Sequence, residues 1–275
     1  MSTAPESQAR AHHDFVLENG SNARGVYTYG FVGVGTMCSA IVRGLCTLPQ
    51  PPASIIISPR NAAKAAALSH AHPAIVAVAA SNQDVLDRSH VVFVGVLPKQ
   101  CEEVLRALKF SPHHVVVSLV STSPLALLVP ACAPALPSNV VRAIPLPPVA
   151  IHRGATVMTP PHPLVHSLFQ CLGHVVAVGS EAQLKQLLPV TCLMGQFYEQ
   201  QRCTQQWLQR QGIDAETAAG WTGAVFHSMS YDSSRAHAAT FAELVHEQTP
   251  GGLNEGILNG MRCASALRCL SLHSF

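Results

Sequence analysis

Short apolar runs alternate with helical patterns in the amino-terminal part of the chain. Val26–Val32, Val91–Val96 and Val115–Val120 are rich in β-branched and aromatic residues and have the length of buried strands. Thr36–Cys46 and Cys101–Leu108 repeat apolar residues with helical spacing. The same patterns predict strands at Ile55–Ile57, Ala74–Val78, Val140–Ile144, Ala155–Met158 and Val175–Val178, and helices at Ala62–His70 and Leu164–Leu172. Such alternation predicts a Rossmann-type α/β fold, a doubly wound and mainly parallel sheet covered on both faces.

The pattern changes near Gly179, after which strand signals end. Helices are predicted at Glu181–Leu188, Thr191–Gln211, Ala215–Met229, Arg235–Glu247 and Leu253–Leu270. We therefore expect an α/β domain over residues 25–179 and an all-α domain over residues 180–275. Residues 1–24 are polar and mixed in charge, which indicates a flexible tail.

The amino-acid composition indicates which kinds of binding partner the chain could have. Only 12% of the residues are charged while 48% are apolar, about half the usual share of charge. Either another subunit covers part of the surface, or the chain has an alanine-rich bias. A net charge of +2 gives no reason to expect nucleic acid or an anionic membrane as partner. The apolar runs are strand-length, too short for a membrane-spanning helix.

The cysteines and histidines do not form a metal-binding pattern. Nine cysteines are scattered without a Cys-x-x-Cys pair, which favours reduced thiols in the cytoplasm over disulfides or zinc. The histidines include the adjacent pairs His12-His13 and His113-His114, which lie in predicted loops. We therefore expect no metal site.

A glycine-rich turn follows the first predicted strand and opens the first predicted helix. Residues Gly30–Met37 read Gly-Phe-Val-Gly-Val-Gly-Thr-Met. Glycines at such a turn let backbone N–H groups approach the pyrophosphate of a dinucleotide. Cys38 replaces the third glycine of the motif, and as a small residue it still permits close packing of helix and strand.

The second predicted strand indicates which dinucleotide binds. NAD enzymes place an Asp or Glu about 20 residues beyond the glycines, where it accepts from the ribose hydroxyl. Here the chain has no Asp or Glu between Asn19 and Gln83, and Ser58, Arg60 and Asn61 follow the strand. Arg60 can form two charge-assisted bonds with a phosphate, and Ser58 can donate a third. The sequence therefore predicts NADP(H).

In order along the chain, these residues resemble pyrroline-5-carboxylate reductase. The resemblance rests on Gly30–Met37, Ser58-Pro59-Arg60, Asn82, Val96-Leu97-Pro98, Ser118-Leu119, Arg142–Pro148, Gly154-Ala155-Thr156, Glu181, Thr191-x-x-x-Gly195 and Thr249-Pro250-Gly251-Gly252. It implies NADPH-dependent reduction of a cyclic imino acid, with 1-pyrroline-5-carboxylate converted to L-proline. It also implies a homodimer or higher oligomer formed through the helical domain. The cofactor-binding residues are then Gly33, Val34, Gly35, Thr36, Met37, Ser58, Arg60, Asn61, Asn82, Val96, Leu97 and Pro98.

The Pro-Gly-Gly turn before the last predicted helix is the predicted substrate site. Free N–H groups at a helix N-terminus, unobstructed by side chains at two glycines, favour an anion such as a substrate carboxylate. The predicted substrate-binding residues are Thr249, Gly251, Gly252, Leu253 and Asn254. Asn254 is the predicted catalytic residue, and Tyr198 and His237 are alternative proton donors. Glu255 adds a negative charge; pointing inward, it argues against a carboxylate or favours a cationic iminium.

Four departures from the family pattern leave the substrate open. Leu97 stands for a lysine, Leu146-Pro147 for Asn-Thr, Gly195–Tyr198 for Gly-Ser-Gly-Pro-Ala, and Leu253-Asn254 for two small residues ending in threonine. Two alternatives therefore remain beside the imino acid. One is reduction of a different imine or ketone, and the other is a non-catalytic NADP-binding dimer.

Overall fold

The computed structural model describes residues 27–233 and 236–263, without the side chains of residues 232 and 261–263. The predicted tail over residues 1–24 lies outside the described residues, as does the predicted last helix beyond residue 263. The chain divides into two compact units after Leu188.

The first unit is built on an eight-stranded sheet. Its strands are β1 (Thr28–Val32), β2 (Ser54–Ile57), β3 (Val76–Val78), β4 (Val91–Val94), β5 (Val115–Ser118), β6 (Val140–Pro145), β7 (Gly154–Thr159) and β8 (Gly173–Ala177). Their order across the sheet is β3-β2-β1-β4-β5-β6-β7-β8. Neighbouring strands run parallel, except that β6 and β7 pair antiparallel.

Helices follow most of these strands, and the second unit consists of further helices. The first unit contains α1 (Thr36–Cys46), α2 (Ala62–Ala71), α3 (Asn82–Asp87), α4 (Cys101–Arg106), α5 (Leu125–Ala131), α6 (Pro163–Gln170) and α7 (Glu181–Leu187). The second unit contains α8 (Leu193–Arg210), α9 (Ala215–Asp232), α10 (Thr240–His246) and α11 (Leu253–Cys263). Short 3₁₀ helices lie at Pro98–Gln100, Pro137–Asn139, Pro147–Ile151 and Leu188–Cys192.

Alternate residues of the strands enter two separate cores, one on each face of the sheet. On one face Phe31 of β1 stacks on Phe93 of β4 with ring centroids 4.6 Å apart, and Phe169 of α6 meets Phe93 edge-on. On the other face Val92 and Val94 pack among residues of α3, α4 and α5. Because both faces are covered, the strands are apolar throughout, which is why they read as continuous apolar runs.

The predicted fold class is confirmed: a mainly parallel, doubly wound sheet precedes a helical region. The sequence did not predict α3 or α5. Each is shorter than two helical turns, so neither shows a measurable apolar period. In addition, α5 contains Pro130. Ser81 caps α3 by accepting a hydrogen bond from the Asp84 N–H at 3.1 Å.

An ion pair with a buried guanidinium joins α7 to the sheet. Arg142 of β6, only 2% exposed, donates to the carboxylate of Glu181 and to the backbone oxygen of Ser121. The same Glu181 oxygen accepts from the Leu125 N–H at 2.9 Å. These bonds hold α7 in the first unit, so the division falls one helix later in the chain than the boundary near Gly179.

Candidate functional site: a dinucleotide cleft

A cleft of about 500 Å³ opens at the carboxyl ends of β1, β2 and β4. In a parallel sheet this edge is where ligands bind, because the loops following the strands leave a crevice between them. Its lining residues are Gly33, Val34, Gly35, Ser58, Arg60, Asn61, Ala62, Asn82, Gly95, Val96, Leu97 and Gln100. The structure therefore brings most of the predicted cofactor residues to one place.

The two glycines of the turn differ in what their backbone positions require. Gly33 has φ +92°, and a Cβ there would lie 2.6 Å from the backbone oxygen of Gly95. Gly35 differs, since the nearest atom to a Cβ there, the same Gly95 oxygen, is 3.8 Å away. Gly33 is thus required by the fold itself, whereas Gly35 leaves open space in the cleft.

The N-terminus of α1 is left available to a ligand. Gly35 precedes the helix without a side-chain cap, and the first turn holds no acidic residue. Thr36 and Met37 supply its first backbone N–H groups, which lack intrahelical partners. Such a helix end attracts a pyrophosphate through its N–H groups and its dipole.

Cys38 packs the helix against the neighbouring strand. It is 1% exposed, and a Cβ on Gly95 would lie 2.2 Å from its sulfur. Burial raises the pKa of the Cys38 thiol to about 12, so this thiol is no nucleophile at neutral pH. Gly95 was not predicted as a site residue because it fell inside the predicted strand Val91–Val96, whereas β4 ends at Val94 and leaves Gly95 in the loop at the cleft.

The turn after β2 carries the predicted phosphate-binding group. Arg60 is exposed, and its Nη1 donates to Gln100 Oε1 at 3.1 Å. The Ser58 hydroxyl is fully buried and donates to Asn82 Oδ1 at 2.8 Å. Ser58 and Asn82 therefore hold each other, and in this arrangement Ser58 does not direct its proton at a phosphate as the sequence predicted. Asn61 caps α2 by accepting from the Lys64 N–H at 3.3 Å.

The loop after β4 forms the remaining side of the cleft. Val96 and Leu97 line it, with Leu97 68% exposed, while Pro98 begins the next 3₁₀ helix outside the lining. Gln100 and Ala62 also line the cleft and were not predicted. Gln100 closes the 3₁₀ turn through its N–H to the Leu97 oxygen at 2.9 Å.

These residues fit NADP(H) rather than NAD(H). The cleft offers a glycine cradle and a free helix N-terminus for a pyrophosphate, and Arg60 for a ribose phosphate. No carboxylate lines the cleft among the described residues, so nothing there accepts from a ribose hydroxyl or repels a phosphate. Likewise, the described residues contain no group of three or more His, Cys, Asp or Glu side chains that could hold a metal.

In the second unit, the chain's own Glu255 contacts the predicted anion site. The Gly251 N–H donates to the chain's own Glu255 Oε2 at 2.6 Å, with Gly251 at φ +72°. The Asn254 amide donates to Gln248 Oε1 at 2.7 Å. The turn therefore already contains a carboxylate, because a glutamate in the first turn of a helix can bend back onto a backbone N–H near its start.

The remaining predicted residues of this turn differ in their surroundings. The backbone oxygen of Thr249 accepts a hydrogen bond from the Gly252 N–H at 3.0 Å. The side chain of Leu253 is 87% exposed. Tyr198, an alternative proton donor, is 60% exposed on α8, and His237 lies 3.7 Å from Glu243.

Comparison with known proteins confirms the resemblance. Residues 28–122 match the family described as coenzyme F420-dependent NADP oxidoreductase. The chain is 28% identical over 143 residues to pyrroline-5-carboxylate reductase 3 of Danio rerio, covering 47% of this chain and 44% of that protein. The matching region thus spans less than half the length of that relative.

Solved structures share the fold over a larger part of the chain. The structure of 1-pyrroline-5-carboxylate reductase from Streptococcus pyogenes has a TM-score of 0.73 at 20% identity, covering 89% of this chain and 94% of that one. The NADP-bound Plasmodium falciparum pyrroline carboxylate reductase gives 0.72 at 13% identity, covering 90% and 94%. A reductive aminase from Aspergillus terreus with NADPH gives 0.51 at 16% identity, covering 74% and 73%.

Proposed function

We propose that this chain is an NADPH-dependent oxidoreductase that reduces the C=N bond of a cyclic imine. The observation that carries this is the cleft at the ends of β1, β2 and β4, which combines a glycine cradle with Arg60 and no carboxylate. The oxidoreductase family match over residues 28–122 supports the same class of activity. 1-Pyrroline-5-carboxylate, reduced to L-proline, is the substrate that the resemblance names.

The chain's residues would mainly bind and orient. NADPH, when bound, supplies the hydride. The N–H groups at the start of α1 would hold the pyrophosphate, Arg60 would bind the adenosine phosphate, and the open space at Gly35 would admit the cofactor. A cyclic imine is substantially protonated near neutral pH, so the site needs no strong general acid. Asn254, the proposed catalytic residue, would orient the imine nitrogen through its amide.

Placement then supplies most of the rate enhancement. Hydride transfer needs the donor and the imine carbon about 3–3.5 Å apart, and fixing that geometry removes much of the entropic barrier. Two of the side chains that replace the family's pattern, Leu97 and Leu253, are apolar. They would alter which imine fits beside the cofactor, since Leu97 itself lines the cleft. A different imine or a ketone is therefore the second candidate substrate.

The second unit supports the proposal that the protein is a homodimer. Within the described residues, α8 has no buried residue, and Phe197 is 41% and Trp221 63% exposed. Leu253 and Ile257 on α11 are exposed as well. Monomeric proteins rarely leave so many large apolar side chains in water, and a second copy is the occupant that the resemblance names. Sedimentation of an active monomer would contradict it.

The proposed location is the cytoplasm. None of the cysteines from Cys38 to Cys203 is joined in a disulfide, as expected of a reducing compartment. None of the helices that the structure describes combines the length and the hydropathy needed to span a bilayer. A role in proline biosynthesis belongs to the same proposal.

The test is NADPH consumption with a panel of carbonyl and imine compounds. We expect turnover with 1-pyrroline-5-carboxylate or 1-pyrroline, and Arg60→Ala should lower NADPH affinity ~10–100-fold, the effect of losing charge-assisted bonds. NADH affinity should change less than about 2-fold, because NADH has no 2′-phosphate. Tight NADPH binding without turnover of any compound would favour a non-catalytic NADP-binding protein, and equal use of NADH would overturn the cofactor assignment.

A further inference from the structure

Arg60 and Gln100 form a bridge across the cleft. Arg60 follows β2 and Gln100 follows β4, and these two strands flank β1 in the sheet. Their hydrogen bond measures 3.1 Å from Nη1 to Oε1 and joins residues 40 positions apart. Because β1 lies between β2 and β4, this bond spans the end of β1, where the glycine turn lies. Both side chains line the cleft.

The backbone on each side of this bridge is fixed. The Arg60 N–H points at the Ser58 hydroxyl at 3.5 Å, and Ser58 is held in turn by Asn82. Gln100 closes its 3₁₀ turn through its own N–H and stands directly before α4. It occupies the capping position of that helix, yet its side chain forms no capping bond there. The Gln100 side chain instead accepts the hydrogen bond from Arg60.

We propose that Gln100 is a positioning residue that holds the Arg60 guanidinium for the 2′-phosphate of NADPH and so selects NADPH over NADH. This inference rests on the proposed function. Gln100 accepts from a single guanidinium nitrogen, so the donors on Nε and Nη2 stay available for a phosphate. A neutral amide oxygen orients the cation without neutralising it, whereas a carboxylate at that position would compete with the phosphate. Fixing a long side chain in its binding conformation lowers the entropic cost of binding.

Two substitutions at Gln100 separate this role from a purely structural one. Gln100→Leu should raise the dissociation constant of NADPH ~3–10-fold, the effect of one lost hydrogen bond, and leave that of NADH unchanged. Gln100→Glu keeps the shape but adds a charge that pairs with Arg60 and repels the phosphate. It should weaken NADPH binding at least ~10-fold, again with little effect on NADH. Gln50→Leu is the matched control, an exposed glutamine before β2 at the opposite edge of the sheet.

A double-mutant cycle measured by cofactor titration decides the mechanism. Arg60→Ala and Arg60→Ala/Gln100→Leu should bind NADPH equally, because Gln100 acts only through Arg60. Additive losses, equal losses for both cofactors, or wild-type NADPH affinity in both Gln100 variants would overturn the inference. If Gln100→Leu fails to fold, as its melting temperature without cofactor would show, Gln100→Glu decides. Normal NADPH affinity in Arg60→Ala would instead contradict the proposed cofactor assignment.

Discussion

The carboxylate of Glu255 accepts a hydrogen bond of 2.6 Å from the backbone N–H of Gly251. Both residues belong to the turn that opens α11, four positions apart. The chain's own side chain thereby occupies the place where the sequence predicted a substrate carboxylate. A second anion at this turn would meet a negative charge and would lose one of its backbone donors.

Removing this charge should change substrate preference. If the Pro-Gly-Gly turn binds substrate as proposed, Glu255→Gln should raise kcat/KM for 1-pyrroline-5-carboxylate relative to 1-pyrroline ~5–20-fold, because repulsion of the substrate carboxylate is relieved. Steady-state kinetics with both imines provide the ratio. Glu247→Gln, an exposed carboxylate just before the turn, is the control and should leave it unchanged. An unaltered ratio in Glu255→Gln would place the substrate elsewhere.

Gly33 and Gly35 should respond differently to alanine. Gly33→Ala forces a side chain onto φ +92° and brings Cβ to 2.6 Å from the Gly95 oxygen, so we expect ~2 kcal/mol or more lost from the free energy of unfolding. Gly35→Ala meets nothing closer than 3.8 Å and should keep its stability. Its methyl group would stand in the cleft, so NADPH affinity should fall ~10-fold. Thermal melts without cofactor and NADPH titrations measure the two effects. Equal melting temperatures for the two variants would contradict the difference.

His114 should make the protein less stable in mild acid. Burial, reinforced by neighbouring His113, lowers the pKa of His114 to about 4, and its Nδ1 accepts from the Ser111 N–H at 3.0 Å. The unfolded chain binds a proton below its ordinary pKa of about 6.5, while the folded chain does so only below about 4. Stability from this group is therefore full above pH 6.5 and declines as pH falls toward 4.

We expect protonation linked to His114 to lower the free energy of unfolding of the wild-type protein by on the order of 1–2 kcal/mol between pH 7 and pH 5. His114→Gln, which cannot titrate, should be less stable at pH 7 but should lose less on acidification. Urea unfolding at both pH values measures the difference. His70→Gln, at an exposed position of α2, is the control and should follow the wild type closely. Parallel pH profiles for wild type and His114→Gln would refute the assignment.

The Arg142–Glu181 pair should matter far more for stability than an exposed pair. Glu181→Gln leaves the guanidinium of Arg142, 2% exposed, without its counter-charge, and we expect a loss of ~3 kcal/mol in the free energy of unfolding. Arg106–Glu102, with side chains 63% and 50% exposed, is the matched comparison; Glu102→Gln should cost less than ~0.5 kcal/mol. Chemical denaturation compares them. Losses of similar size would mean that burial does not govern these pairs.

Local patterns explain what the sequence predicted well. The strands β1, β4 and β5 are continuous apolar runs because both faces of the sheet are covered, and α1 carries a clear apolar stripe. The helices α3 and α5 gave no such signal because they are short. The antiparallel pairing of β6 with β7 was equally invisible, because an apolar run does not encode the direction of its neighbour.

By itself, the sequence determined the Rossmann-type order of strands and helices, the glycine turn and the lack of carboxylates around Arg60, because each depends on neighbouring residues in the chain. Only the tertiary structure placed Gln100 against Arg60 and Asn82 against Ser58, since those contacts join loops that follow different strands. It also turned Glu255 onto Gly251, a choice of side-chain conformation that residue identity leaves open. Backbone shape is encoded locally, whereas the partner of each polar side chain depends on which loops the sheet brings together.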